Sequence, residues 1–376
     1  MTTRLTSLLT ARGSHAAKSA AAAPRVWLAP NRRGDGPAEL EVLLADISGR
    51  VIGEMQADVK GVAWKLNNYG QARMLASRAE YAQREHMVQF GNRLMIRFNN
   101  GLPDWGGVID TPRKWGDDML EVVAYSGEYL LGWRITDRGR YFTSATVGDI
   151  YRAVIREAEP FGVEIGYIWP GGNSHSPEYH FESLLDIAES SLGRRLETVD
   201  WDVRPSLVNG RIRFSANLYQ RRGLDYTSPA RSRAFVEGVN VSGLMSEQGP
   251  IANDIYLAGA GTGWGEDTRI YAQARDDNSE RKFGLRQLGE TLVDITQQET
   301  LDNAAANRLE RYGTPRQVFS LTAWDHAPAR FGDYDVGDTI WAEMFSVGFG
   351  GGVGQSVRVM AREFQPGDNT MQLVVQ

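Results

Sequence analysis

The chain has 376 residues, of which 42% are hydrophobic, with 41 glycines, 14 prolines, ten tryptophans and no cysteine. This length predicts two or three folded domains, and the lack of cysteine excludes disulfides and thiolate chemistry. No apolar run approaches the roughly 20 residues of a membrane-spanning helix, so we expect no stable membrane insertion.

Charge is unevenly distributed along the chain. Residues 1–34 contain six Lys/Arg and no acid, whereas the other 342 residues carry 35 basic and 47 acidic groups, a formal charge of −12. Such a body is not expected to grip nucleic acid, because that binding depends on neutralising phosphates; it would suit a passage through which DNA slides. Residues 1–37 are predicted to form a flexible basic arm, although their Ala/Ser-rich composition is also typical of a transit peptide.

Short apolar runs separated by glycines open a predicted first tube-like β-domain, residues 38–145. The runs are Leu40–Leu44, Val51-Ile52 and Val59–Trp64, and this alternation of strand and turn is typical of a β-meander. Glu128–Ile135 is predicted as a further strand of the same domain.

The hydrophobic period becomes helical after Thr146, where an α+β insertion of residues 146–232 is predicted. Apolar residues recur every three or four positions from Val147 to Ala158, which predicts a helix capped by Thr146 and stopped by Pro160. The other elements predicted here are a strand at Val163–Trp169, a helix at Phe181–Leu192 ended by Gly193, and a hairpin turning at Asn209-Gly210.

Residues 233–376 are predicted to form a second tube-like β-domain. Its first elements are strands at Phe235–Val241, Asp254–Ala258 and Thr268–Ala274, followed by a helix that carries Leu301 and Leu309 and ends at Tyr312-Gly313.

One β-rich pattern occurs twice, in a first repeat segment (residues 69–123) and a second (residues 312–375). The offset between the copies is 243 residues at Tyr-Gly and 251 at Gly-Asp, which indicates an insertion at the glycine-rich Val347–Gly354. The predicted structural repeat markers are Tyr69, Gly70, Arg73, Phe90, Gly91, Gly116 and Asp117 in the first copy, and Tyr312, Gly313, Arg316, Phe331, Gly332, Gly367 and Asp368 in the second.

No local motif predicts a catalytic, cofactor or metal site. Gly259–Gly265 lacks the third glycine and following helix of a dinucleotide loop, so a glycine-rich turn is favoured. His175, His180 and Asp186 span a loop and a helix start rather than the close spacing typical of zinc ligands. Three carboxylate pairs, Asp117-Asp118, Glu266-Asp267 and Asp276-Asp277, are adjacent residues on predicted turns, where carboxylates are usually solvated.

Aromatic residues leave an alternative open. Tryptophans exposed on a surface can stack on sugars, but more often they anchor a core or an interface. The tryptophans considered for sugar stacking are Trp105, Trp115, Trp133, Trp169 and Trp264.

The order of elements resembles the tail-tip (baseplate) hub proteins of tailed bacteriophages. The resemblance covers most of residues 38–376. It rests on the segments Trp105–Asp110, Met119–Ser126, Leu130-Leu131, Leu184–Trp201, Arg211–Phe214, Ala304–Leu309, Gln317–Ala323 and Asp335–Ile340.

The resemblance implies a mainly β fold with an α+β insertion and two duplicated tube-like β-barrel domains. In that family three chains form a ring of six similar domains, which adapts the six-fold tail tube to a three-fold tip. It implies a structural virion protein with no enzymatic activity and no cofactor. The implied partners are two further copies of the chain, a tail tube or distal tail protein, a fibre or spike protein and the tape-measure protein, with phage DNA in transit.

Two alternatives remain open from the sequence. One is a carbohydrate-binding protein for receptor recognition, and the other is a cell-wall hydrolase. Many relatives in that family carry C-terminal receptor-binding or peptidoglycan-cleaving extensions, whereas this chain is expected to end with its second β-domain. The expected location is the virion tail tip, after assembly in the bacterial cytoplasm.

Overall fold

This computed structural model describes residues 39–376, apart from 82–84, 111–113, 117, 137–138, 228–232, 262–267, 294 and 347–351. The predicted basic arm therefore lies outside the described residues, as do Asp117, Glu266-Asp267, Trp264 and most of both glycine-rich loops.

The first β region contains the predicted strands, but they do not form the predicted meander. Its elements are β1 (Leu40–Ala45), β2 (Val51–Glu54), β3 (Ala57–Lys65), β4 (Gln71–Ser77), the short α1 (Arg78–Tyr81), β5 (Arg93–Phe98), β6 (Trp105–Ile109), β7 (Lys114–Trp115) and β8 (Met119–Ser126). The meander prediction was wrong because β3 pairs with β4 and lies at the opposite end of this region from β2. A second prediction was also wrong: Glu128–Ile135 is not a strand, because Gly127–Trp133 forms a 3₁₀ helix that buries Leu130 and Leu131. A short apolar run carries no period that distinguishes the two structures.

The insertion contains the predicted helix and hairpin. Its elements are β9 (Arg140–Tyr141), β10 (Ala145–Thr146), α2 (Val147–Ala158), β11 (Val163–Ile168), β12 (Ser174–His175), β13 (Glu178–Tyr179), α3 (Leu184–Asp186), a π-helix (Ile187–Leu196), β14 (Asp200–Val208) and β15 (Arg211–Tyr219). The Thr146 hydroxyl accepts the Asp149 amide at 3.2 Å, as the predicted cap requires. Asn209 and Gly210, at φ 51° and 71°, form the hairpin turn.

The second predicted helix begins later and ends later than expected. Phe181 has φ 53° and is 71% exposed, so it cannot be the first apolar contact of a helix. The helix starts after Ser183, whose hydroxyl accepts the Asp186 amide at 3.0 Å. It then continues past Gly193 to Leu196 as a π-helix.

The last third of the chain combines strands of the large sheet with a small α+β unit, and the sequence predicted it only in part. Its elements are β16 (Ala234–Val236), β17 (Val241–Gln248), β18 (Asp254–Ala258), β19 (Tyr271–Arg275), α4 (Asp277–Phe283), β20 (Gln287–Thr291), α5 (Gln298–Tyr312), β21 (Gln317–Trp324), β22 (Thr339–Met344), β23 (Val353–Gln365) and β24 (Thr370–Val375). The small α+β unit is built on β18, β19 and β20. The predicted strand Phe235–Val241 is two strands, because Gly238 turns the chain at φ 78°.

The two repeat segments, each taken from here on together with the strand that precedes it (β3 for the first and β17 for the second), share one antiparallel strand order. In the first, neighbours run β3-β4-β8-β6-β5, and in the second they run β17-β21-β24-β23-β22. The long β23 occupies the place that β6 and β7 share in the first segment. It also pairs with β3, so both segments belong to one sheet.

The outer strands of the two sets differ. β5 continues into an antiparallel pair with β1, whereas β22 continues into a parallel pair with β16. The fold is mainly β, and the large sheet formed by the described strands is open and does not close into a barrel.

Three hydrophobic cores join the repeat segments, the insertion and the small sheet of β18, β19 and β20. The largest lies under both repeat segments and includes Val62 and Met74 from the first and Phe319 and Leu373 from the second. A second core packs the insertion against one face of the first segment, and a third lies between α5 and the sheet of β18, β19 and β20. The division of the chain after residues 145 and 232 stays a prediction.

Gly70 tests how tightly β3 and β4 approach each other. A Cβ at Gly70 would lie 1.9 Å from the Ala63 carbonyl oxygen, whereas a Cβ at Gly367 would meet nothing within 4 Å. We expect Gly70→Ala to lower the free energy of unfolding by about 3 kcal/mol, and Gly367→Ala to change it by less than ~0.5 kcal/mol. Urea denaturation followed by fluorescence measures both; equal effects would contradict the packing described.

Candidate functional site

The repeat markers lie near corresponding strands of the two segments but in different surroundings. Tyr69 precedes β4, and its ring packs against those of Tyr125 and Tyr129, at centroid distances of 5.6 and 5.1 Å. Tyr312 instead ends α5, and the Arg311 guanidinium lies 5.4 Å from its ring. Gly70 donates its amide to the Ser126 hydroxyl at 2.8 Å.

The second pair of markers differs in burial. Phe90 is 54% exposed beside Gly91, which has φ 81°. Phe331 is fully buried, with its ring 5.7 Å from that of Phe364. A Cβ on Gly332 would lie 3.0 Å from the Gly101 carbonyl oxygen, so this glycine allows a close backbone approach.

The remaining markers lie in a strand and in turns. Arg73 lies within β4 and pairs with Glu121 at 2.5 Å, whereas Arg316 precedes β21 and donates to the Glu310 carbonyl at 3.1 Å. Gly116 precedes β8, and Gly313 donates its amide to the Leu309 carbonyl at 2.7 Å. Gly367 and Asp368 form the turn between β23 and β24. The markers do not converge on one site, and their status as a repeat stays a prediction.

Seven charged side chains do converge, where the insertion meets the second repeat segment. We call them the junction cluster; its members are Asp200, Asp202 and Arg204 on β14, Arg222, Asp335, and Arg358 and Arg362 on β23. The three residues on β14 alternate, so the strand geometry directs them to the same face.

Asp335 is the centre of the junction cluster. Its Oδ2 accepts hydrogen bonds from Arg204 Nη2 at 2.8 Å and from Arg222 Nη2 at 2.7 Å. Its Oδ1 lies 2.9 Å from Arg362 Nη2, and the side chain is 15% exposed. One carboxylate therefore holds three arginines that come from three separate stretches of the chain.

The two aspartates of β14 complete the charge pairing. Asp202 Oδ2 lies 2.8 Å from Arg204 Nε and 3.0 Å from Arg222 Nε, while Asn217 donates to its Oδ1 at 2.9 Å. Asp200 accepts the Arg222 amide at 2.6 Å and pairs with Arg358. Burial raises the pKa of Asp200, and the charge and hydrogen bond of Arg358 oppose that rise.

Arg362 links the cluster to the first repeat segment. Its side chain is fully buried, and it donates from Nη1 to the Tyr334 carbonyl at 2.6 Å. Its guanidinium lies 4.8 Å from the ring of Trp64 on β3, a cation–π contact. The cluster therefore joins both repeat segments and the insertion.

Two further carboxyl groups border the cluster. Burial raises the pKa of Asp338 to about 6, although the Leu224 and Asp335 amides donate to it at 2.7 and 2.8 Å. Burial also raises the pKa of Glu128 to about 7. Glu128 accepts the Val203 amide at 2.9 Å and pairs with the Ser126 hydroxyl at 2.5 Å.

The arrangement is suited to fixing the sheet and the insertion rather than to chemistry. A cavity of about 30 Å³ between Glu128, Asp202, Arg204 and Trp105 has room for a water-sized molecule. The carboxylates of the cluster accept hydrogen bonds or lie in ion pairs with its arginines, and Asp200 also accepts a backbone amide.

The sequence candidates for metal and carboxylate chemistry lie apart. His175 pairs with Glu197 at 3.0 Å, His180 pairs with Glu178, and Asp186 is exposed on α3. Asp276 caps α4 by accepting the Asn278 and Ser279 amides. Within the described ranges no group of three or more metal-type side chains converges, and no helix is long and apolar enough to cross a membrane.

Sequence reasoning missed the junction cluster. Its one local signal is the alternation Asp200-x-Asp202-x-Arg204 in the first arm of the predicted hairpin, which begins four residues later than the predicted start at Leu196. Charged residues on one face of a strand between two buried layers indicate a paired ionic site. Arg222, Asp335 and Arg362 are too distant in sequence for any local pattern to associate them.

The fold and the cluster define a class: a β scaffold with two strand sets of the same order, joined to an α+β insertion through a buried ionic junction. No family model and no curated protein matches the chain. Several solved structures do match it along almost its whole length.

Three of these structures are tail proteins, two of them from prophages. The 43 kDa tail protein of prophage MuSo2 from Shewanella oneidensis matches with a TM-score of 0.57 and 11% identity, over 89% of this chain and 97% of its own. Prophage tail protein gp18 from Listeria monocytogenes EGD-e matches with a TM-score of 0.56 and 12% identity, over 89% of this chain and 94% of its own. A tail protein from Neisseria meningitidis MC58 matches with a TM-score of 0.56 and 13% identity, over 89% of this chain and 96% of its own. The chain shares their fold, so the resemblance predicted from the sequence is confirmed at that level.

The first prediction from this site concerns Asp335. Asp335→Asn would leave three buried or half-buried arginines without their shared carboxylate, so we expect a loss of about 3–5 kcal/mol in the free energy of unfolding. Asp58→Asn is the matched control. The side chains of Asp58 and Lys60 form an ion pair in which they are 59% and 45% exposed, so this pair contributes less than ~1 kcal/mol. Urea midpoints measure both; similar losses would argue against a central role for Asp335.

The second prediction concerns pH. The pKa of Glu128 rises from 4.5 to about 7 on folding, so between these values the folded protein holds the extra proton and stability falls as pH rises. Glu128→Gln removes this dependence. We therefore compare the free energies of unfolding of the variant and the natural protein at each pH. From about pH 5 to pH 8 we expect the variant minus natural difference to become more positive by ~3 kcal/mol. A constant difference across this range would contradict the burial of a protonated carboxyl group.

Proposed function

We propose that this chain is a structural virion protein, a trimeric hub at the distal end of a phage tail. The observation that carries the proposal is the shared strand order of the two repeat segments, set in a fold found in phage tail proteins. Three copies of a chain with two such sets contain six similar sets. This number matches a six-fold tail tube on one side and a three-fold tip on the other.

In this proposal each strand set forms part of a tube only when subunits associate. β17 pairs with β21 alone among the described strands, although Val241 at its start also bridges Glu237, so the edge beyond Val241 has no strand partner among the described residues. An exposed strand edge is a template for pairing with another chain. Neighbouring subunits would extend the open sheet at such edges and enclose the channel.

The proposed partners follow from the position of the hub. A tail tube or distal tail protein would contact one side and a fibre or spike protein the other, and the basic residues 1–37 would contact a neighbouring subunit or the tape-measure protein. The formal charge of −12 on residues 35–376 suits a channel that passes phage DNA without holding it. The protein would assemble in the bacterial cytoplasm, act in the virion and catalyse no reaction.

Electron microscopy with light scattering tests the assembly. We expect a particle of three times the 41.8 kDa chain mass, with a central hole and pseudo-six-fold density in two-dimensional class averages. A solid monomer, both alone and with a distal tail protein added, would contradict the hub. Peptidoglycan zymography tests the hydrolase alternative, and a cleared zone would overturn the non-enzymatic proposal.

Met245 provides a mutational test of the β17 edge. It is 56% exposed on this edge strand, and a charged side chain on an edge opposes pairing with another strand. We expect Met245→Lys to lower the trimer fraction at least about tenfold, with an unchanged melting temperature. Leu285→Lys is the control, because Leu285 is 51% exposed outside the large sheet. Equal trimer fractions in the two variants would exclude the β17 edge as a contact.

A further inference from the structure

The small sheet of β18, β19 and β20 has an outer face that carries two exposed tyrosines. Its inner face buries Ile255, Leu257 and Ala272 in the core shared with α5. On the outer face Tyr256 is 44% exposed and Tyr271 is 53% exposed. The register pairs Tyr256 with Gln273, two residues from Tyr271, so the tyrosines are diagonal neighbours on the same face.

A buried carboxylate fixes the polar side chains around these rings. Asp254 is 1% exposed, and Gln273 Nε2 donates to its Oδ1 at 2.7 Å and to the Tyr256 hydroxyl oxygen at 2.8 Å. Gln287 Nε2 donates to Asp254 Oδ2 at 2.8 Å. Both glutamines are therefore held in one orientation, which reduces the entropy lost when a ligand binds.

An open slot lies beside Tyr256. The residue paired with it on β20 is Gly289, where a Cβ would meet no atom within 4 Å. Gln287 and Thr291 flank this glycine on the same exposed face. The face therefore combines an aromatic ring, a gap next to it and polar groups at the edges of the gap.

We propose that this face, which we call the tyrosine platform, binds a neutral oligosaccharide. Tyrosine rings offer apolar surface for the C–H faces of sugar rings. The side-chain oxygens of Gln273 and Gln287 offer acceptors for hydroxyl groups, and the second N–H of Gln287 Nε2 offers a donor. Asp254 is occupied by the two glutamines, and the acidic body disfavours an anionic ligand. The proposal is independent of the oligomeric state of the chain.

The platform does not include the tryptophans considered for sugar stacking from the sequence. Trp105, one of these tryptophans, is 1% exposed, and Trp133 and Trp169 pack partly buried against the core of the insertion. The rings of the platform are instead Tyr256 and Tyr271, on a different part of the chain.

Ligand-observed NMR and calorimetry with the full chain test the platform. The probes are maltotriose, cellotriose and N-acetylchitotriose, with trigalacturonate as the anionic comparator. We expect at least one neutral trisaccharide to bind and trigalacturonate to bind more weakly. No binding by any neutral trisaccharide, or preferential binding of trigalacturonate, overturns the proposal.

Four variants assign the binding to the platform. Tyr256→Ala and Tyr271→Ala should each weaken binding at least about tenfold, because each removes one stacking surface. Gly289→Leu should abolish binding by filling the slot, with no change in melting temperature, because the site is open and Gly289 lacks a positive φ. Tyr141→Ala is the control, since Tyr141 is 68% exposed on the insertion. Full binding by a folded Gly289→Leu variant overturns the proposal.

Discussion

The pairing of one carboxylate, Asp335, with three arginines is the interaction on which the arrangement of this chain depends. Each arginine comes from a different stretch, so the contact requires β14, the residues after β15 and β23 to be in place together. Burying these charges is costly unless every partner is present. An alternative packing that displaced one strand would leave a charge unpaired, so we infer that the cluster contributes to selecting this fold.

The parts of the fold that the sequence predicted are those that a local signal determines. Thr146 and the apolar period define α2, Asn209-Gly210 defines the hairpin, and the bounds of β18 were predicted without error. These features depend on contacts within a few residues.

The wrong predictions come from contacts that no local pattern records. Phe181 looks like the start of an apolar helix face, yet its positive φ turns it to the surface. Glu128–Ile135 looks like a strand, yet burial of Leu130 and Leu131 against the insertion favours a 3₁₀ helix at Gly127–Trp133. The junction cluster and the tyrosine platform are assembled by pairing between distant segments, so the sequence could supply their members but not their association.

The length of β23 has a mechanical consequence. This strand of 13 residues pairs along its course with β22, β24 and β3, so it spans both halves of the large sheet. A force applied along it would load many interstrand hydrogen bonds at once in shear, rather than opening them one by one. The bulge at Val359–Ala361 lies where its neighbours change. Under tension the two halves would therefore behave as one stiff element, with any bending concentrated at that bulge.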